Sequence, residues 1–234
     1  MNHCERIQFA IGTAISFLLI TIFVIWAELD AYSLHAMTKE DGPIENLTAI
    51  LFGLSSICFI VFAMRSDFLK EKESGLRYFM TISWALLMFV FMGEEISWGQ
   101  RIFAIATPDM LAEINLQNEI NIHNIELLDP FGSNGYQYLT IMMLTTGLLL
   151  SVFAMSKFGK FTIQRFAFPV SPLCYATLFV GAYLYGKYYT TIIGHSGAEV
   201  REFLIAVGMF SFAMHGAISP CALFRISMPQ EGNP

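Results

Sequence analysis

Residues 78–101 read YFMTISWALLMFVFMGEEISWGQR. Sixteen apolar or small positions run on before any charge appears at Glu94 and Glu95. A helix needs ~20 mostly apolar residues to cross a bilayer, so this stretch predicts a membrane span over about 78–98. Trp98 suits the membrane–water boundary. The two acids then fall about one turn inside the apolar slab, where carboxylates are costly unless paired, protonated or metal-bound.

Working outward, five further segments have the same character: about 9–27, 47–64, 136–155, 168–188 and 199–218. Pro169 and Pro172 fit the first turns of the fifth span. The expectation is an all-α polytopic membrane bundle of about six transmembrane helices forming one domain, with segment 102–135 interfacial or re-entrant between the third and fourth. The composition agrees. Of 234 residues, 55% are hydrophobic and 14% charged, with 22 Phe, 9 Tyr and 3 Trp, against about 25% charged in soluble domains. A soluble globule and a disordered chain are thereby excluded. A net charge of −6 gives no basic surface for nucleic acid. Cys4, Cys58, Cys174 and Cys221 are too scattered for a zinc-finger spacing or a disulfide framework. The first apolar stretch is too long for a signal-peptide core and is read as a retained span. No internal repeat is visible.

Lys and Arg set the orientation. Arg6, Arg65, Lys70, Lys72, Arg77, Lys157, Lys160, Arg165 and Arg225 lie at one set of span ends, and Lys39, Arg101, Lys187 and Arg201 at the other. Both termini are therefore expected in the cytoplasm. On the cytoplasmic side lie only Glu5, Asp67, Glu71, Glu73 and Glu231 of the 19 acids, so 14 lie on the outer side, with His35, His123 and His195. Any site is expected at the outer, periplasmic or extracellular, boundary.

Four constellations fall there. In the first, a continuous helix puts Glu94, Trp98 and Arg101 on one face and Glu95 about 100° away. Glu94, Glu95 and Arg101 are catalytic candidates, one of the glutamates as general base, with an interhelical ion pair as the alternative. In the second, 115–124 (NLQNEINIHN), a spacing of four puts Asn115, Glu119 and His123 on one side in either a helical or a strand period. Glu119 and His123 could ligate one divalent transition metal, Zn or Fe, with His195 as an extra ligand or base. Asn118 and Asn121 could donate to an oxyanion. Hydrogen bonds from these amides to headgroups are the alternative. Thr107-Pro108-Asp109 upstream resembles a helix start. In the third and fourth, Glu199 and Glu202 open the last span and Glu45 opens the second after a Gly42-Pro43 turn. The helix dipole favours acids at such positions, and they are kept as site residues as well. Asp30 and His35 read as ordinary loop residues.

The strings GEEISWGQR (93–101) and NLQNEINIHN (115–124) resemble a signature of an uncharacterised group of bacterial polytopic membrane proteins, together with the acidic EDG turn at 40–42. That resemblance implies a bacterial inner-membrane protein. Glu94-Glu95 is also similar to the Glu-Glu-x-x-x-Arg motif of CAAX-type glutamate intramembrane proteases. Here position 99 is Gly, Arg101 comes two residues late, and neither His123 nor His195 lies in a Phe-x-x-x-His pattern. This likeness implies a glutamate that activates water, with His and Asn at the oxyanion. Three functions stay open. They are a hydrolase or transferase acting on a lipid or membrane-embedded peptide, a non-catalytic binding or assembly subunit, and proton- or cation-coupled transport. The enzyme is placed first because acids within a membrane are functional by default. Transport has the least support, since the central parts of the spans lack charged residues.

Overall fold

A computed structural model describes residues 3–65, 74–100, 102–115, 118–121, 125, 141–142, 144–166 and 168–219. In chain order the helices are α1 (His3–Leu29), α2 (Ala31–Thr38), α3 (Pro43–Arg65), α4 (Ser74–Glu95), α5 (Asp109–Ala112), α6 (Leu150–Phe153), α7 (Lys157–Phe166), α8 (Ala176–Ile193) and α9 (His195–Ile218). A π-turn, Thr145–Leu149, leads into α6. The described residues form no sheet, only an isolated bridge between Asn115 and Ile125.

Four helical segments are long and apolar enough to cross a membrane: Phe9–Leu29, Pro43–Arg65, Gly75–Glu95 and His195–Ile218. They correspond to the expected first, second, third and sixth spans, the third ending at Glu95 instead of Trp98. The expected fourth span begins outside the described residues. The expected fifth begins late. Residues 168–172 lie outside any helix, with Pro172 extended, a 3-10 turn covers Leu173–Tyr175, and α8 starts at Ala176. Pro169 and Pro172 therefore precede the helix instead of lying in its first turns, because a fixed φ without an N–H suits the extended lead-in equally well.

α9 is the central helix, packed against α3 and α8, with α4 against the other side of α3 and α1 against α8. Aromatic rings lock the centre. Phe212 of α9 meets Phe59 of α3 at 5.2 Å and Trp84 of α4 at 6.0 Å, edge to face. Phe23 of α1 meets Phe203 of α9 at 5.5 Å. The buried Ser56 hydroxyl donates to the Ala85 carbonyl at 2.8 Å, tying α3 to α4. Other hydroxyls, such as Thr48 and Thr81, bond the carbonyl four residues back, the usual way to satisfy a polar group in an apolar setting. The outside of α1 is apolar: Phe17 is 66% and Leu18 61% exposed. Such a face is stable only where the solvent is itself apolar.

The two ends of the bundle differ. At one, the Arg65 guanidinium of α3 donates to the Ala217 carbonyl near the end of α9. At the other lie the start of α3, the end of α4 and the start of α9, with Glu45, Glu95, Glu199 and Glu202. The acids thus collect at one end, as the charge count anticipates.

Candidate functional site

α4 stops at Glu95. Ser97, Trp98 and Gly99 then take φ values of 46°, 55° and 77°. Two of these three left-handed residues carry side chains, and such backbone costs of order 1–3 kcal/mol per residue. The expected continuous helix through Arg101 is therefore replaced by a sharp reversal, and Arg101 itself lies outside the described residues. Glu94 and Trp98 nevertheless meet, by another route. Trp98 folds back so that its Nε1 donates to Glu94 Oε1 at 2.7 Å. Its ring lies over Gly93, where a Cβ would come within 2.9 Å of it.

The reversal is held by a hydrogen-bond network from the returning loop. The buried Ser97 hydroxyl donates to Glu119 Oε2 at 2.6 Å. Asn121 Nδ2 donates to the same oxygen at 2.7 Å and to Ser97 Oγ at 3.4 Å. Asn115 Nδ2 donates to the Asn121 carbonyl and to Asn121 Oδ1, both at 2.9 Å, and Asn115 Oδ1 accepts from the Glu119 N–H. Gln100 accepts from the Ile120 N–H and donates to Thr107, whose hydroxyl donates to the Asn118 carbonyl. Thr107 thus clamps the loop instead of capping α5, which begins after an extended Pro108. Asn118 is exposed, with φ 57°. Both Nδ2 hydrogens of Asn121 are directed within the loop. The side-by-side placement of Asn115 and Glu119 comes from this turn and not from a regular period. His123 lies outside the described residues.

A second cluster lies on the helices themselves. Glu95, Glu199 and Glu202 are 6%, 8% and 3% exposed. Each offers a carboxylate oxygen, and these oxygens lie within 4.8 Å of one another. Among the described residues this is the one group of three or more His, Cys, Asp or Glu side chains compact enough to hold a metal. Glu119 and His195 are not in it. His195 instead places Nε2 3.3 Å from Glu199 Oε1, and Arg201 Nη2 donates to Glu202 Oε1 at 3.2 Å. The Arg201 stem passes over Gly186 of α8, where a Cβ would come within 2.4 Å of it. Glu199 lies beyond the first turn of α9, so the helix dipole contributes little to its placement.

Glu45 keeps a capping role, with Oε2 accepting from the Asp41 N–H at 2.6 Å. It also lines a small crevice with Asp41, Asn46, Glu95, Ile96 and Ile102. Around this end, His35 Nδ1 lies 3.0 Å from Ser196 Oγ, and Tyr189 donates to Glu28 at 2.7 Å. Asp30 caps α2, its Oδ1 accepting from the Ser33 N–H at 3.0 Å. The Ser33 N–H and hydroxyl hold the Asp30 carboxyl below the usual carboxylate range. Sequence reading passed over Ser97, Gln100 and His35. Only the high density of polar residues in 97–121 signalled the first two.

The fold and this site define a helical protein with membrane-length apolar helices and a buried carboxylate cluster at one end. No protein-family model matches the chain, and no curated protein or solved structure does.

Proposed function

We propose that the protein is a membrane-embedded hydrolase or transferase acting on a lipid or a membrane-embedded peptide at the outer face of a bacterial inner membrane. Six spans with both termini in the cytoplasm put the acidic end outside. The carrying observation is Glu95, which belongs to the buried carboxylate cluster and also lines the crevice with Asp41, Glu45, Asn46, Ile96 and Ile102.

In this reading Glu95 is the general base, since it joins the buried carboxylate cluster to the crevice where water and substrate meet. It takes a proton from water. The resulting hydroxide adds to an ester, amide or phosphoryl centre of the substrate. The leaving group departs with the proton returned by the same carboxyl. Glu94 acts at one remove by fixing Trp98. The Ser97–Glu119–Asn121 network fixes the reversal that carries Ile96 to the crevice. Exposed Ile102 and Phe103 offer an apolar approach from the lipid side.

The test places the purified protein in phosphatidylethanolamine–phosphatidylglycerol vesicles in H2(18)O, with and without a quenched fluorescent transmembrane peptide. The expected result is 18O in a released lipid or peptide product, lost in Glu95→Gln. Folded protein that incorporates no label in either arm overturns the enzyme reading in favour of a binding or assembly subunit.

A further inference from the structure

We infer that Glu95, Glu199 and Glu202 form a binding site for a hard divalent cation of the Mg2+, Mn2+ or Ca2+ class. The first support is geometric. The three carboxylate oxygens lie within 4.8 Å of one another. Oxygens sharing one such cation, at metal–oxygen distances of about 2.0–2.6 Å, are separated by no more than about 5 Å. The cluster therefore has the span of a coordination shell, drawn from the end of α4 and the start of α9.

The second support is independent of that proximity. Glu199 Oε2 is sealed from solvent and accepts no hydrogen bond among the described residues, whereas Oε1 is met by His195. A buried carboxylate oxygen without a donor is expensive unless a cation or a proton satisfies it.

The donor set names the class of ion. It holds oxygen alone, with neither thiolate nor imidazole, which suits Mg2+, Mn2+ or Ca2+ over the softer Zn2+. His195 lies outside the triad and meets Glu199 at Oε1, while Oε2 is the oxygen with no donor among the described residues. This site differs from the Glu119, His123 and His195 set expected from sequence. Glu95 belongs to both readings, and cation binding itself does not depend on catalysis. Only its chemical use, lowering the pKa of a bound water beside the crevice, rests on the hydrolase reading.

The test uses chelator-stripped, full-length protein in lipid nanodiscs, titrated with Mn2+ and followed by loss of the free-ion electron paramagnetic resonance signal. One Mn2+ per chain is expected, displaced by Mg2+ or Ca2+. Glu199→Gln and Glu202→Gln are each expected to weaken binding at least tenfold, and the exposed-site variant Glu113→Gln leaves it unchanged. Folded wild-type protein that takes up no saturable Mn2+ overturns the inference, as does unaltered affinity in a folded Glu199→Gln variant. Binding is read without substrate, so a protein that binds Mn2+ and hydrolyses nothing overturns the hydrolase reading alone.

Discussion

The Ser97 hydroxyl donates to Glu119 Oε2 at 2.6 Å, joining a strained reversal at the end of α4 to a loop 22 residues further on, with both side chains buried. Hydrogen bonds to charged groups are worth about 1.5–3 kcal/mol, enough to offset much of the cost of the left-handed residues at 97 and 98. Ser97→Ala is therefore expected to lower stability by about 1.5–3 kcal/mol. Thermal unfolding in mild detergent measures it. An unchanged midpoint would mean that the Ser97 hydroxyl does not hold Glu119 in place.

Two glycines on α4 are expected to respond in opposite ways. At Gly93 an added Cβ meets the Trp98 ring at 2.9 Å, and at Gly75 it meets nothing within 4 Å. Gly93→Ala is expected to cost about 1–3 kcal/mol by overpacking. Gly75→Ala gains up to about 1 kcal/mol, because alanine is the better helix former. Equal shifts in the two unfolding curves would show that Trp98 does not rest on Gly93.

The Asp30 cap gives α2 a pH dependence with a definite sign. Its carboxyl is held below the usual range by the Ser33 N–H and hydroxyl. Its stabilising contribution is therefore complete at neutral pH and is lost as the pH falls through the lowered value. Asn is also a good N-cap, so Asp30→Asn is expected to retain protection of residues 31–38 while abolishing its pH dependence. Hydrogen-exchange protection factors, each referred to the intrinsic rate at its own pH, read this directly. Equal pH dependence in the variant counts against the cap.

The orientation is open to labelling. With the four native cysteines replaced by serine, a single cysteine at exposed Asp41 is expected to react with a membrane-impermeant maleimide in intact cells. One at exposed Lys157 reacts only after the membrane is permeabilised. The reverse pattern would place the carboxylate cluster at the cytoplasmic face.

Helix content, four of the apolar spans and the gathering of acids at one end were legible in the sequence, because each depends on local features. An apolar run of about 20 residues makes its own backbone hydrogen bonds wherever it lies. Pro43 at the first helical position and Glu45 reaching back to Asp41 form a cap within five residues, readable before any packing is known. The end of α4 was not legible. A helical period carried past Glu95 looks the same until the returning loop offers Glu119 and Asn121 to Ser97. Which glutamates meet was not legible either. Glu95 lies on α4, whereas Glu199 and Glu202 lie on α9, and residue spacing reports only neighbours on one element. Their convergence was decided by α9 packing against α3, and α3 against α4, around Phe59, Trp84 and Phe212. The sequence by itself determined which residues are costly to bury and at which end they collect. Only the tertiary structure decided that three of them share one buried space, because the aromatic packing that aligns those helices is made between segments far apart in the chain.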